Sequence, residues 1–214
     1  NPLSTSGSDT LYGTAGDDTL NGLGGADVFY PGAGNDSVDG GDANVHNTVV
    51  YYNATKAVVV NLVTGIANDG DGGTDTLKNI QQVVGTPFND TLTVGRWGFA
   101  DGGAGNDTIV SGNGYAGMKG GAGDDSLVGS DLPDMAQYYA PGLTAANTTL
   151  VKETNSWVLK VNGVNVFRYT PDVATKQWTV ADLRASTLAD YQGIDTLSKI
   201  DVIAVQGDSV VGGR

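Results

Sequence analysis

Aspartate returns at every ninth position near the start of the chain, as Asp9, Asp18, Asp27 and Asp36. Gly7, Gly16, Gly25 and Gly34 precede these by two residues, and Leu11, Leu20, Phe29 and Val38 follow them by two. The phrase is G-G-x-G-x-D-x-U-x, with U a large apolar residue. A second block repeats it in Gly102-Gly103-Ala104-Gly105-Asn106-Asp107-Thr108-Ile109 and Gly120-Gly121-Ala122-Gly123-Asp124-Asp125-Ser126-Leu127. Between them Ala116 stands where an aspartate belongs, so that copy keeps its place in the fold and lacks the carboxylate. Carboxylates in register on glycine-rich turns ask for a hard divalent cation.

The elements that must position these residues follow from the period. One nine-residue copy cannot bury its apolar residue alone, so copies must stack as a solenoid. In a strand–turn–strand–turn spiral, two copies complete one turn and copies eighteen apart lie on the same side. Stacked strands are about 4.8 Å apart. Asp9 then lies against Asp27 on one side, and Asp18 against Asp36 on the other. Two unpaired carboxylates that close repel in a low-dielectric turn, and a cation between them reverses the sign. Calcium takes about six to eight oxygens at roughly 2.3–2.6 Å, backbone carbonyls included. Glycines supply those carbonyls, because residues without Cβ tolerate positive φ. Magnesium dehydrates reluctantly and prefers a strict octahedron, so it suits such turns less.

These residues resemble the calcium-binding nonapeptides of the RTX (repeats-in-toxin) family of bacterial secreted proteins. The resemblance implies several calcium ions held by Asp9, Asp18, Asp27, Asp36, Asp107 and Asp125, with turn carbonyls at Gly7, Gly16, Gly25, Gly34, Gly105 and Gly123. Asp75, Asp90 and Asp195 match less fully, Phe88 replacing the glycine before Asp90. Asp134 follows Leu132 and Pro133, a poor turn, and is not counted among the ligands. The resemblance also implies a secreted or cell-surface location, type I secretion of an unfolded chain, and a larger parent protein.

Composition narrows the function classes. Among 214 residues, 24 acids face 11 bases, a net charge of -13, which disfavours nucleic acid as a partner. The absence of cysteine excludes a disulfide scaffold and thiolate metal sites. Glycine numbers 33 without a collagen period, and the apolar residues stay in register with the aspartates, which argues against disorder. No apolar run reaches the roughly 20 residues of a membrane span. The first residues form no signal segment, and the pattern is interrupted at both ends, as expected of a segment of a longer protein.

Two related halves are expected in an all-β parallel β-roll or β-helix. Residues 1–94 form the first half, 95–140 the second solenoid block, 141–190 a small α+β insertion and 191–214 a return to solenoid strands. Each half carries a tyrosine pair, Tyr51-Tyr52 or Tyr138-Tyr139, and a related phrase, Gly73-Thr74-Asp75-Thr76-Leu77 or Gly193-Ile194-Asp195-Thr196-Leu197. Lys56 to Leu62 and Thr76 to Val84 read as solenoid strands without calcium turns. In the insertion, Ser156 to Val161 and Val164 to Tyr169 flank Asn162-Gly163, a hairpin signal. Thr179 is placed to cap a short helix through Leu188, with Asp182 in its first turn.

Asp42, Asp69 and Asp71 read as turn caps in irregular loops. His46, the only histidine, reads as an exposed loop residue, and no G-x-S-x-G accompanies it, so no enzyme is expected. One tyrosine of each pair is expected in the core. The other aromatics outside the U column, including Trp97 and Tyr115, leave carbohydrate or surface binding as the alternative function. With Kd about 10⁻⁴ M and external calcium of about 1–10 mM, each site adds about 1.4–2.7 kcal/mol. Several sites approach the roughly 5–15 kcal/mol stability of a domain, so calcium is expected to switch folding on outside the cell.

Overall fold

The computed structural model describes residues 4–139, 148–154, 156–162, 164–172, 174–175, 177–184, 193–200 and 202–206. Successive three-residue strands alternate between two sheets. β1 (Thr10–Tyr12), β3 (Val28–Tyr30) and β5 (Thr48–Val50) belong to the first, and β2 (Thr19–Asn21) and β4 (Ser37–Asp39) to the second. β6 (Val59–Asn61), β7 (Ile66–Asn68) and β8 (Thr74–Lys78) all lie in the second sheet, before β9 (Gln82–Val84) returns to the first. Alternation resumes through β10 (Thr91–Val94), β11 (Phe99–Ala104), β12 (Thr108–Ser111), β13 (Gly117–Ala122), β14 (Ser126–Val128) and β15 (Met135–Tyr139). Then β16 (Thr148–Lys152), β17 (Trp157–Val161), β18 (Val164–Asp172) and β19 (Gln177–Asp182) extend the second sheet ahead of β20 (Ile194–Ser198), and β21 (Val202–Gln206) ends the first. The first sheet is parallel throughout, in the order β1-β3-β5-β9-β11-β13-β15-β21.

Each short strand presents one side chain inward, and that residue is the U of the repeat. Leu11, Phe29, Val49, Val83, Ala100 and Met118 stack from the first sheet. Leu20, Val38 and Leu77, then Val60, Leu92, Ile109 and Leu127, face them from the second. All are buried, while their strand neighbours are exposed or half-buried. The core is therefore one side chain thick from each sheet, which leaves the turns on either side to be stabilised by other means.

The strand direction reverses at two places that the sequence pattern did not show. β7 runs antiparallel to β8, and β19 antiparallel to β20. After each of these repeat strands the chain turns a corner through a non-glycine residue at positive φ, Asn79 at 55° and Lys199 at 54°. β6 then pairs in parallel with β10, so the solenoid resumes across the first reversal. In the second half β16 to β19 form an antiparallel sheet that covers the open edge of β20.

The insertion contains the expected hairpin, β17 against β18, with Asn162 at φ 52°. The helix expected from Thr179 is replaced by strand. Thr179 pairs with Thr170 on one side and Thr196 on the other, so its strand is flanked by a ladder on each side. Trp178 and Val180, on the alternating pattern of a strand, pack against the core. Asp182 is held by Arg184 in a 2.6 Å ion pair instead of capping a first turn. Residues 185–188 of that expected helix lie outside the described residues, and no helix occurs among those described.

Candidate metal centre

At each corner leading into a strand, the structure stacks one residue of every rung into a column. On the second sheet's side the column is Asp18, Asp36 and Asp75, then Val58, Asp90, Asp107, Asp125 and Asp195. It is joined by a repeated bond, in which the backbone N–H of each residue donates to Oδ1 of the next aspartate. The distances are 2.8 Å for Asp18 to Asp36, 3.0 Å for Asp36 to Asp75, and 2.8 Å for Val58 to Asp90, Asp90 to Asp107 and Asp107 to Asp125. Asp125 to Asp195 closes the series at 3.0 Å. On the first sheet's side, Asp9 donates to Asp27 at 2.8 Å, Asp27 to Asn47 at 2.9 Å, and Ala116 to Asp134 at 2.7 Å.

Oδ1 is thus committed to the ladder, and Oδ2 decides the chemistry. In Asp27, Asp36, Asp107, Asp125 and Asp195, Oδ2 is buried and has no hydrogen-bond partner among the described residues. All five side chains belong to residues at most 3 % exposed. An unpaired anionic oxygen held from water is costly unless a cation meets it. At three of these five, a glycine keeps the space beside Oδ2 clear of a Cβ, as Gly85 does beside Asp90. A Cβ added at Gly22, Gly102 or Gly120 would fall onto Oδ2 of Asp27, Asp107 or Asp125, and the Gly40 and Gly120 carbonyl oxygens border the first two of these spaces. No group of three or more His, Cys, Asp or Glu side chains converges among the described residues. A cation held here must therefore draw most of its oxygens from backbone carbonyls, and a hard ion with flexible coordination fits that donor set.

A family model described as the RTX calcium-binding nonapeptide repeat matches four copies, at residues 3–44, 99–115 and 118–131. The chain carries RTX calcium-binding repeats. RTX nonapeptides bind calcium, and several copies imply several ions. Such repeats occur in secreted bacterial proteins, where they are structural modules. Among solved structures, the extracellular lipase LipA from Serratia marcescens is similar at a TM-score of 0.34 and 19% identity, over 93% of this chain and 37% of the lipase chain. The chain thus spans little more than a third of that protein. No curated protein sequence matches it.

Burial sets the electrostatics of the aspartate columns. Asp107 is pushed up to about 8, first by desolvation and then by the Asp125 and Asp90 carboxylates. Burial likewise raises Asp27, Asp36, Asp125 and Asp195. Asp75 rises to about 6 although the Tyr51 hydroxyl donates to its Oδ2 at 2.7 Å. Tyr138 is the counterpart of Tyr51 in the second half. Its buried hydroxyl is raised by desolvation and by the Asp195 carboxylate, but the two do not meet with hydrogen-bond geometry.

The turn glycines divide into two kinds. Gly25, Gly34, Gly105 and Gly123 have φ of 90°, 122°, 109° and 136°, where a Cβ would strike the backbone of the preceding rung. Gly7 and Gly16 do not adopt positive φ, and each donates its N–H to the hydroxyl of Thr5 or Thr14. Asp69 is buried and caps its own turn, accepting from the N–H groups of Asp71, Gly72 and Gly73, while Asp42 accepts from Asn44. Asp71 accepts from Thr55. His46 is exposed. Tyr51 is buried and Tyr52 exposed.

Two column members escape the nonapeptide pattern. Asp134 sits in the column opposite Ala116 despite Pro133, and accepts from Ser111, Ala116 and Ser130. Asn47 takes an aspartate's place in the third rung. Its Oδ1 accepts from Asp27, and its Nδ2 donates to the carbonyls of Gly40, Asp42 and Asn79 at 3.1, 3.1 and 3.0 Å. An amide nitrogen there satisfies converging carbonyl oxygens.

Proposed function

We propose that this chain is a calcium-dependent folding module of a larger secreted or surface protein, and that its role is structural. The five buried Oδ2 atoms without partners carry this reading, and a glycine borders three of them, with a carbonyl oxygen beside two, at Asp27 and Asp107. The residues proposed to hold the ions are Asp27, Asp36, Asp107, Asp125 and Asp195, with carbonyls of the adjoining glycine turns. Bound calcium would neutralise the column and bridge successive turns. Without it, a core one residue deep must offset the repulsion of stacked carboxylates, and the chain of net charge -13 stays expanded. That behaviour suits type I export as an unfolded chain followed by folding in external calcium. The divisions proposed are 1–94 and 95–140 for the two solenoid blocks, 141–190 for the insertion and 191–214 for the return.

The test is calcium titration of the EDTA-stripped chain by far-UV circular dichroism, with magnesium as control. A cooperative coil-to-β transition at sub-millimolar to millimolar calcium is expected. A chain that is already folded in EDTA and indifferent to calcium would overturn the reading.

Surface binding is favoured by one separate observation. Trp97 and Tyr115 stack at 4.6 Å, with Arg96 over both rings at 5.4 and 5.2 Å. Both aromatics take positive φ, 61° and 56°, a strained choice for bulky residues. They line a groove of about 440 Å³ with His46, Phe99 and Gln137. Binding of a polysaccharide that is lost in Trp97→Ala, with calcium-induced folding unchanged, is the outcome expected if this groove has a ligand.

A further inference from the structure

The residue four positions before the aspartate sorts eight of the column turns into two states. In four turns it is Thr5, Thr14, Thr86 or Ser130. Its backbone N–H donates to the aspartate's Oδ2, at 2.6, 2.6, 2.5 and 2.6 Å for Asp9, Asp18, Asp90 and Asp134. Its hydroxyl donates to the same carboxylate, at 2.9, 2.7, 2.8 and 3.0 Å. That hydroxyl also accepts the N–H two residues on, from Gly7, Gly16, Phe88 or Leu132. The N–H bond to Oδ2 recurs in all four turns, while the hydroxyl reaches Oδ2 in three and Oδ1 in Asp90. None of these four residues has positive φ.

In the other state the same position is Leu23, Gly32, Gly103 or Gly121, at φ 67°, 96°, 103° and 110°. Its N–H is not turned to the carboxylate, and Oδ2 of Asp27, Asp36, Asp107 or Asp125 is left without a partner.

We infer that the hydroxyl residue four positions before the aspartate closes a turn to calcium, so that the Thr5, Thr14, Thr86 and Ser130 turns hold no ion and calcium enters only the open ones. This rests on the calcium reading above. Two donors on a carboxylate already supply the charge-assisted bonds that a cation would supply, and an ion could enter only by breaking both. Position along the columns gives the same answer independently for two of the four turns. Asp90 is the first aspartate after the β6–β7 reversal, and Asp134 follows Ala116, which has no carboxylate. The first turn of a run has no earlier carboxylate with which to share a cation. A hydroxyl cap does the ion's work there, and the capped turns are the part of each column that needs no calcium to form.

Leu23 makes the test possible, because it already carries a Cβ at this position and is 54% exposed. Ions per chain are counted by isothermal titration calorimetry against a competing chelator, for the wild type, Leu23→Thr and its isosteric partner Leu23→Val. Leu23→Thr is expected to bind one ion fewer than Leu23→Val, with equal circular dichroism in saturating calcium. Equal counts would overturn the inference while leaving the calcium reading intact. A wild type that binds no calcium would overturn that reading itself. A second measurement is independent of any variant: anomalous scattering from calcium-grown crystals of the wild type. It is expected to place ions beside Asp27, Asp36, Asp107 and Asp125 and none on Oδ2 of Asp18 or Asp90. An ion on either of the last two sinks the inference.

Discussion

Asn47 and Asp107 occupy equivalent places in their columns and make opposite demands on what surrounds them. Asn47 brings its own donor to three carbonyl oxygens, whereas Asp107 brings an acceptor that no group among the described residues meets. Asn47→Ala should cost about 1–3 kcal/mol in thermal unfolding, because buried carbonyls lose their partner and gain nothing. Asn47→Asp should be worse than wild type in EDTA and recover in calcium, since it turns the one donor into another acceptor. Equal destabilisation with and without calcium would show that the amide is only a packing element. Gly120 is the complementary case. A methyl group there falls on the Asp125 carboxylate, so Gly120→Ala should destabilise by about 1–3 kcal/mol and lower calcium affinity, both readable in one titration followed by melting.

The elements are unusual in how little each contributes. A three-residue strand buries one side chain, so stability lies in the column of identical contacts and not in any single strand. Ile109 is packed between Leu92 and Leu127 on neighbouring strands and is fully buried. Ile109→Ala is expected to cost about 2–5 kcal/mol in denaturant unfolding with calcium present. Val110, the next residue along β12, is half-buried and faces outward, so Val110→Thr should stay within about 0.5 kcal/mol. Comparable losses at both positions would mean that β12 is not anchored by its inward residue. The antiparallel strands serve another purpose at this scale. β7 lets the second column break and restart, and β19 covers the edge that β20 would otherwise expose.

For the whole molecule, charge and burial act together. Asp107 is raised from 3.8 to about 8 by burial, so the folded metal-free chain holds this proton more tightly than the unfolded chain does. The contribution to stability is complete below the unfolded value and is lost as pH rises from about 4 through about 8. Burial moves Asp27, Asp36 and Asp90 in the same direction. Asp18 runs the other way, lowered by its bonds from Thr14, so its contribution is lost as pH falls. The raised groups outnumber it, and the EDTA-stripped chain should gain β structure between pH 8 and pH 5.5. Circular dichroism that shows more order at pH 8 in EDTA would contradict this. In saturating calcium the same window should be nearly flat at its upper end, because the ions take the place of the protons.

The nine-residue period by itself determined the solenoid, the inward residues and the column aspartates of the two repeat blocks. Asp75, Asp90 and Asp195 lie off that period and were marked only by a partial match to its phrase. The periodic features depend on a local rule, in which a turn of fixed length feeds a strand of fixed length, so spacing along the chain is also spacing in space. The recurrence of Thr5, Thr14, Thr86 and Ser130 four residues before an aspartate was equally written there, but its meaning needs the φ angles and the direction of each hydroxyl. Asn47 was hidden because its loop lengthens the step from Asp27 to twenty residues. Asp134 was hidden because Pro133 made its turn look unfit. Only the tertiary structure decided the reversals at β7 and β19, since an antiparallel partner is chosen by a distant edge and not by its own sequence. The strand at Gln177 to Asp182 overrode a local helix signal for the same reason: two flanking strands offered ladder bonds on both sides. Which carboxylates are left with an unmet oxygen is likewise a property of stacked rungs, and no single repeat contains it.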